Sequence, residues 1–196
     1  MTESHRKIAV IGAGLMGHGI ALTMARAGHP VTVHDPVAAA RAGVKQRIAD
    51  SLALLGEDPE TIATILGRIS VSDTLAGAVS QAQAVFEAAP EKMALKQAIF
   101  VEAHAPDDAI LASNTSVMPI TQIMSGLKRK ARALGTHWWN PPHLIPLVEV
   151  IKTEWTDEPV VDVMMGLLGG AGKTPVRVAK DVPGFIGNRL QHALWR

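Results

Sequence analysis

The sequence predicts an α/β fold: a mostly parallel sheet with helices on both faces. Two observations carry that reading. Short β-branched runs alternate along the chain with longer Ala-rich stretches of helical character, and short apolar strands alternating with helices form a sheet buried on both sides. The 196 residues, 47% of them hydrophobic, also suffice for a real core. A domain of about 150 residues already buries roughly 70% of its unfolded surface.

The elements follow in order. Ile8–Ile11 is an unbroken apolar run and reads as a buried strand, followed by a helix over residues 14–27 that Gly28 ends. Val31–His34 is the second strand, and residues 37–55 and 59–66 are helical. Further strands are expected at 69–71, 84–86, 110–112, 133–135 and Leu147–Ile151. Residues 91–104 form the clearest helix, with Met93, Gln97 and Phe100 spaced for one face. Beyond Ile151 the texture changes. Thr156 can cap a helix that has Pro159 in its first turn and Gly169-Gly170 as its stop. Residues 176–178 are a last strand, 180–183 a turn, and 185–196 the start of another helix with no C-terminal capping residue. Residues 1–180 are therefore expected to form one domain. Residues 181–196 are expected to be a linker and the first helix of a second, helical domain.

Composition excludes several classes. Lys+Arg number 19 against 18 Asp+Glu, a net charge of +1. With no basic block, there is no electrostatic case for nucleic acid or an anionic membrane. The absence of Cys removes a disulfide framework, a thiolate nucleophile and any Cys-ligated metal. No H-x-x-x-H cluster supports metal catalysis. His5, Arg6 and Lys7 before the apolar residues 8–27 imitate a signal peptide, but glycines at 12, 14, 17 and 19 and Arg26 interrupt that stretch. The expectation is a soluble, cytoplasmic protein.

Gly12-Ala13-Gly14-Leu15-Met16-Gly17 spells G-x-G-x-x-G, leaving an apolar strand and opening a helix. Gly12 permits a tight turn, Gly14 lets a pyrophosphate approach the backbone, and Gly17 lets helix and strand come close. The helix N-terminus supplies free N–H groups and positive partial charge to phosphates. Asp35 ends the second strand, 23 residues after Gly12, where a carboxylate accepts from the adenosine ribose hydroxyls. This is the arrangement of a Rossmann-type domain. A carboxylate there repels a 2′-phosphate, so NAD is preferred to NADP, with a flavin the minority ligand. The alternative is that Asp35-Pro36 is merely a turn and helix start.

His137 follows a strand candidate, where open α/β sheets place ligands. Oxidising an alcohol requires a base for the hydroxyl proton, and His suits neutral pH. Glu149, on the next strand, is placed to reach it through the Pro-rich loop and orient it. Against this, the chain has eight His, and most His are ordinary hydrogen-bonded or surface residues. Ser113-Asn114-Thr115-Ser116 also follows a strand candidate. These groups either point into the same cleft or form an ST-turn before the next element, and both readings stay open. Trp138 and Trp139, beside a Pro-rich turn, read as packing aromatics more than pocket lining.

Joined in this order, GAGLMG, Asp35, FEAAPE, SNTS, HWWNPP, PLVEVI and KDVPGFIGNR resemble the NAD-binding domain of the L-3-hydroxyacyl-CoA dehydrogenase family over residues 8–194. The resemblance implies that His137 is the general base toward a 3-hydroxyl and Glu149 its electrostatic partner. It implies that Ser116 and Asn140 lie near the reacting oxygen and nicotinamide, and Asn188 near the substrate carbonyl. Glu91 and Lys96 match positions that contact the nicotinamide-side ribose. The implied substrate is a small molecule, an acyl-CoA or a hydroxy acid. The family's helical second domain, which carries a homodimer interface, is represented here only by its beginning. Two departures stand out. Where the fatty-acid enzymes carry a lysine-rich stretch after Ser51, this chain reads Leu52-Ala53-Leu54-Leu55-Gly56-Glu57-Asp58. NPPHLIPLVE, PVRV and NRLQ are also similar to the gulonate dehydrogenase and lambda-crystallin branch, whose substrates are free hydroxy acids. A crystallin-like, nucleotide-binding structural protein is the non-enzymatic alternative.

Overall fold

The computed structural model describes residues 5–102 and 104–195; residues 1–4, 103 and 196, which the expected domain and helices also covered, lie outside that set. Eight strands form one sheet in the order β3-β2-β1-β4-β5-β6-β7-β8. These are β1 (Ile8–Ile11), β2 (Val31–His34), β3 (Ile69–Ser72), β4 (Ala84–Glu87), β5 (Ile110–Ser113), β6 (Ala133–Trp138), β7 (Leu147–Ile151) and β8 (Thr174–Val178). All neighbours run parallel except β6 and β7, which are antiparallel. The chain turns back between β1 and β4, so the switch point of the strand order falls where the glycine motif leaves β1. In such sheets the crevice outside the carboxyl ends of the strands takes the ligand.

Uninterrupted apolar strands are buried on both faces. Ile8 and Val10 of β1 join the core beneath α1 (Leu15–Arg26), α2 (Ala38–Leu54) and α7 (Glu158–Gly170). Ala9 and Ile11 face the opposite core, with α4 (Leu75–Val79), α5 (Met93–Glu102) and α6 (Ile120–Ile123). α3 (Pro59–Gly67) begins at Asp58, whose side chain accepts from the amides of Glu60 and Thr61. These hydrogen bonds, the Thr61 amide's first, hold the Asp58 carboxyl below its ordinary value.

Three differences from the sequence reading have local causes. β6 continues to Trp138, so His137 lies inside a strand and not after it; the antiparallel ladder with β7 gives the backbone of residues 136–138 partners that no local pattern announces. Thr156 does not cap α7. Its hydroxyl donates to Ala133 O, 2.6 Å away, and Asp157 takes the N-cap position without a side-chain hydrogen bond. α4 and α6, five and four residues long, are too short to show a helical period.

The segment after residue 180 is stitched to the sheet domain. Asp181 accepts from the amides of Ile120 and Thr121 at 2.9 and 2.7 Å, and Phe185 is fully buried. α8 (Gly187–Leu194) follows with no buried residue, and Leu190, Leu194 and Trp195 are exposed.

Candidate active site

The glycine turn is shaped by backbone contacts. Gly12 has φ +106, and a Cβ there would meet Ala88 O at 2.6 Å. A Cβ on Gly17 would lie 1.8 Å from Gly12 O, so helix and turn touch with only a hydrogen between them. Gly14 is different: a Cβ added there would meet nothing within 4 Å, and its exposed backbone faces open space at the head of α1. Leu15 is exposed, Met16 half-buried, and Ala13 buried. Asp35 accepts from Ala13 N at 2.8 Å and Val37 N at 2.9 Å. A carboxylate has about four acceptor sites, so room remains for ribose hydroxyls. The predicted ribose ligand thus also ties the glycine turn to β2.

A cleft of about 970 Å³ runs from these residues across the switch point. Gly12, Gly14 and Asp35 line one end; Glu91, Asn114, Ser116, His137, Asn140 and Asn188 line the other. The open backbone of Gly14, the helix N-terminus and the Asp35 carboxylate fit a dinucleotide at the first end.

At the second end His137 and Glu149 are direct partners across the β6–β7 ladder. His137 Nδ1 lies 2.7 Å from Glu149 Oε2, and both residues are buried. Glu149 Oε1 accepts from Ile186 N at 2.9 Å and Gly187 N at 3.0 Å. Burial raises the Glu149 carboxyl, but the hydrogen bonds from His137, Gly187 and Ile186 and the electrostatic attraction of the His137 ring outweigh it, so it sits below its ordinary value. An ionised carboxylate only accepts, which makes Nδ1–H the donor and leaves the Nε2 lone pair for the cleft. Trp139 and Phe185 flank the imidazole, with ring centroids 5.3 and 5.6 Å away. Phe185 holds φ 47, a conformation that costs a bulky residue about 1–3 kcal/mol and persists where its surroundings over-determine it. Its buried ring and the next two amides on Glu149 supply that constraint.

The 113–116 segment does both things the sequence left open. Asn114 and Ser116 line the cleft, and Asn114 Oδ1 accepts from Trp138 N at 2.9 Å. Thr115 Oγ1 accepts locally from Met118 N and donates to Glu91. Ser116 N donates to Glu91 Oε1 at 2.6 Å, and Asn188 Nδ2 donates to Ser116 O at 2.8 Å. Asn140 is exposed at the rim. Trp138 is buried edge-to-face against Phe86 and Trp139 lies tilted beside the imidazole, but both also line the cleft, so they pack and form its wall at once.

Lys96 stands apart from the other candidates. It is fully buried, is not on the cleft wall, and donates to Glu87 Oε1 at 2.8 Å. Sequence reasoning missed Glu87, Ser113 and Thr115 as members of this network. A signal existed: Lys96 falls between Met93 and Phe100 on the apolar face of α5, three and four residues away. A charge on that face calls for a buried partner.

The family model for the 3-hydroxyacyl-CoA dehydrogenase NAD binding domain matches residues 7–182. The chain belongs to this family. NAD is accordingly the cofactor of this domain. A probable 3-hydroxybutyryl-CoA dehydrogenase of Bacillus subtilis is 42% identical over 192 residues, covering 94% of this chain and 66% of that protein. An L-carnitine dehydrogenase of Streptomyces griseus is 37% identical over 196 residues, covering 99% of this chain and 58% of that protein. The crystal structure of (S)-3-hydroxybutyryl-CoA dehydrogenase from Ralstonia eutropha superposes with a TM-score of 0.93 at 32% identity, covering 97% of this chain and 69% of that one. The chain therefore spans 58% to 66% of the length of these two sequence relatives. Among the described residues, no helix is long and apolar enough to cross a membrane, and no group of three His, Cys, Asp or Glu could hold a metal ion.

Proposed function

We propose that this domain serves an NAD-dependent dehydrogenase that oxidises the 3-hydroxyl of a 3-hydroxyacyl-CoA to the ketone, reversibly, with His137 as general base. The observation that carries this reading is the buried His137–Glu149 pair opening on the same cleft as the glycine turn. Bound NAD supplies the hydride-accepting ring. His137 Nε2 takes the hydroxyl proton, a role that contributes about 10²–10⁴-fold to rate. Glu149 fixes the tautomer and stabilises the imidazolium as it forms, held in turn by the Ile186 and Gly187 amides. Ser116 and Asn140 offer hydrogen bonds to the reacting oxygen, and Asn188 to the substrate carbonyl. A cytoplasmic location, and a homodimer formed through a helical domain of the kind the relatives' greater length accommodates, belong to the same proposal.

A second reading, a free hydroxy acid as substrate, is favoured by residues 52–58. Residues 52–58 carry no lysine, their two carboxylates are taken up by Arg26 and by the α3 amides, and none of them lines the cleft, so this loop supplies no donor to CoA phosphates. Single-turnover oxidation of bound NADH, with protein in excess, separates the two. Faster reaction with acetoacetyl-CoA than with free acetoacetate is expected. Reaction with the free acid alone moves the substrate to the hydroxy-acid class, and silence with both while NADH is bound contradicts the activity.

A further inference from the structure

Arg47 of α2 carries a charge that no acidic side chain answers. Its Nη2 donates to Ala13 O at 2.7 Å and to Ala40 O at 2.8 Å. Arg26 of α1 pairs with Glu57, and Arg41, earlier on α2, pairs with Asp73. Among the described residues no carboxylate pairs with Arg47, although it is half-buried. Burying a charge is costly unless a partner offsets it. The fold nevertheless makes room for this one. A Cβ on Gly43, one turn earlier on α2, would lie 2.7 Å from Arg47 Nη1.

The carbonyl that Arg47 holds belongs to the peptide joining Ala13 to Gly14. That peptide is trans, so its N–H, that of Gly14, points away from the guanidinium. No described residue accepts from Gly14 N, and a Cβ on Gly14 would meet nothing within 4 Å. One end of a single peptide thus meets a charge while the other is left free at the head of α1. A charged donor on a carbonyl polarises the peptide and strengthens its N–H as a donor. On its other side Ala13 is tied down as well, its N–H donating to Asp35 at 2.8 Å.

We propose that Arg47 is a positioning residue for the cofactor's pyrophosphate. It acts through the Ala13–Gly14 peptide, orienting and polarising the Gly14 N–H, and adds an unpaired positive charge behind the glycine turn. Arg47 is not on the cleft wall, so it reaches the phosphates only through that peptide and through its field. The glycine motif gives no sign of it, because it stands 34 residues from Ala13 on a different helix. The inference concerns the NAD end of the cleft and holds whichever substrate occupies the other.

The test uses this chain and three ligands: NADH, ADP, and adenosine, which lacks phosphate. Dissociation constants are measured for the unsubstituted chain, Arg47→Gln and Arg47→Lys, with thermal unfolding to confirm that each is folded. In Arg47→Gln the affinities for NADH and ADP should fall roughly fivefold, the order of one solvent-screened charge pair, while that for adenosine stays within about twofold. Arg47→Lys keeps the charge and should hold NADH and ADP within about twofold of the unsubstituted chain. At about 1 M salt, where the Debye length is about 3 Å, the deficit of Arg47→Gln should narrow. An equal loss for adenosine would reduce Arg47 to a structural prop of the turn. A loss in Arg47→Lys as large as in Arg47→Gln, or a deficit that ignores salt, would show that the charge is not at work. Unchanged ADP affinity in Arg47→Gln would remove the residue from the phosphate site altogether. Each of these overturns the proposal.

Discussion

The two ends of the cleft are built from different materials. At the β1–β2 end the wall is main chain: Gly12 turned against Ala88 O, the open backbone of Gly14, the first turn of α1, and Asp35 tied to the Ala13 amide. Across the switch point the wall is made of side chains, with buried charged groups behind it: Glu87 paired with Lys96, and Glu149 paired with the wall residue His137. The first end depends on residues close together in sequence. The second depends on residues brought together by strand pairing and by the return of residues 185–188 to the sheet. A backbone site tolerates side-chain change but not an added Cβ; a side-chain site should show the reverse.

Glu149→Gln strikes the second end hardest. Its amide would present the wrong group to His137 Nδ1, and turnover should fall about 10²–10⁴-fold, as expected when a base loses its orienting carboxylate. Rapid-mixing kinetics on NADH-loaded protein would check it, and a change under threefold, roughly, would contradict the role given to Glu149. The same residue predicts an acid response. Because its carboxyl lies below the ordinary value of 4.5 when folded, the stability it contributes is complete above about pH 4.5 and is lost as pH falls through the lower folded value. Urea unfolding should show a shallower acid limb in the Gln variant.

At the backbone end, Gly17→Ala and Gly14→Ala should part company. An Ala at 17 drives its Cβ into Gly12 O, 1.8 Å away, and is expected to destabilise the domain by about 2–4 kcal/mol. An Ala at 14 meets nothing within 4 Å, so thermal stability should hold while NADH affinity falls, because the methyl group occupies the pyrophosphate's approach. Equal effects at both positions would erase the distinction between a glycine needed for the fold and one needed for the ligand. The smallest expected effect is Asp181→Ala. It removes the acceptor for the Ile120 and Thr121 amides and should cost about 1 kcal/mol in denaturant titration, the order of a lost helix cap.

The same contrast explains what the sequence made legible. β1, β2 and β7 are read to the residue because each is a short Val- or Ile-rich run between turn signals, IAVI, VTVH and LVEVI. The glycine turn and Asp35 are legible for the same reason, being local. His137 and Glu149 could be named, but not the geometry that joins them. The expected strand stopped at residue 135, and only the antiparallel register sets the two side chains opposite each other. Glu87 escaped notice because it closes a run of buried apolar residues and its partner is nine positions away on a helix. The Ile186 and Gly187 amides on Glu149 had no side-chain signature at all.

The decisive comparison is His137→Gln against the unsubstituted chain, with NADH affinity and single-turnover oxidation measured on the same samples and the reactive partner in excess. Affinity should hold within about twofold, because His137 lies at the far end of the cleft from Gly14 and Asp35, while the hydride-transfer rate falls about 10²–10⁴-fold. Unchanged oxidation in the variant would contradict His137 as the base, and a parallel loss of NADH affinity would show that the two ends of the cleft are not separable.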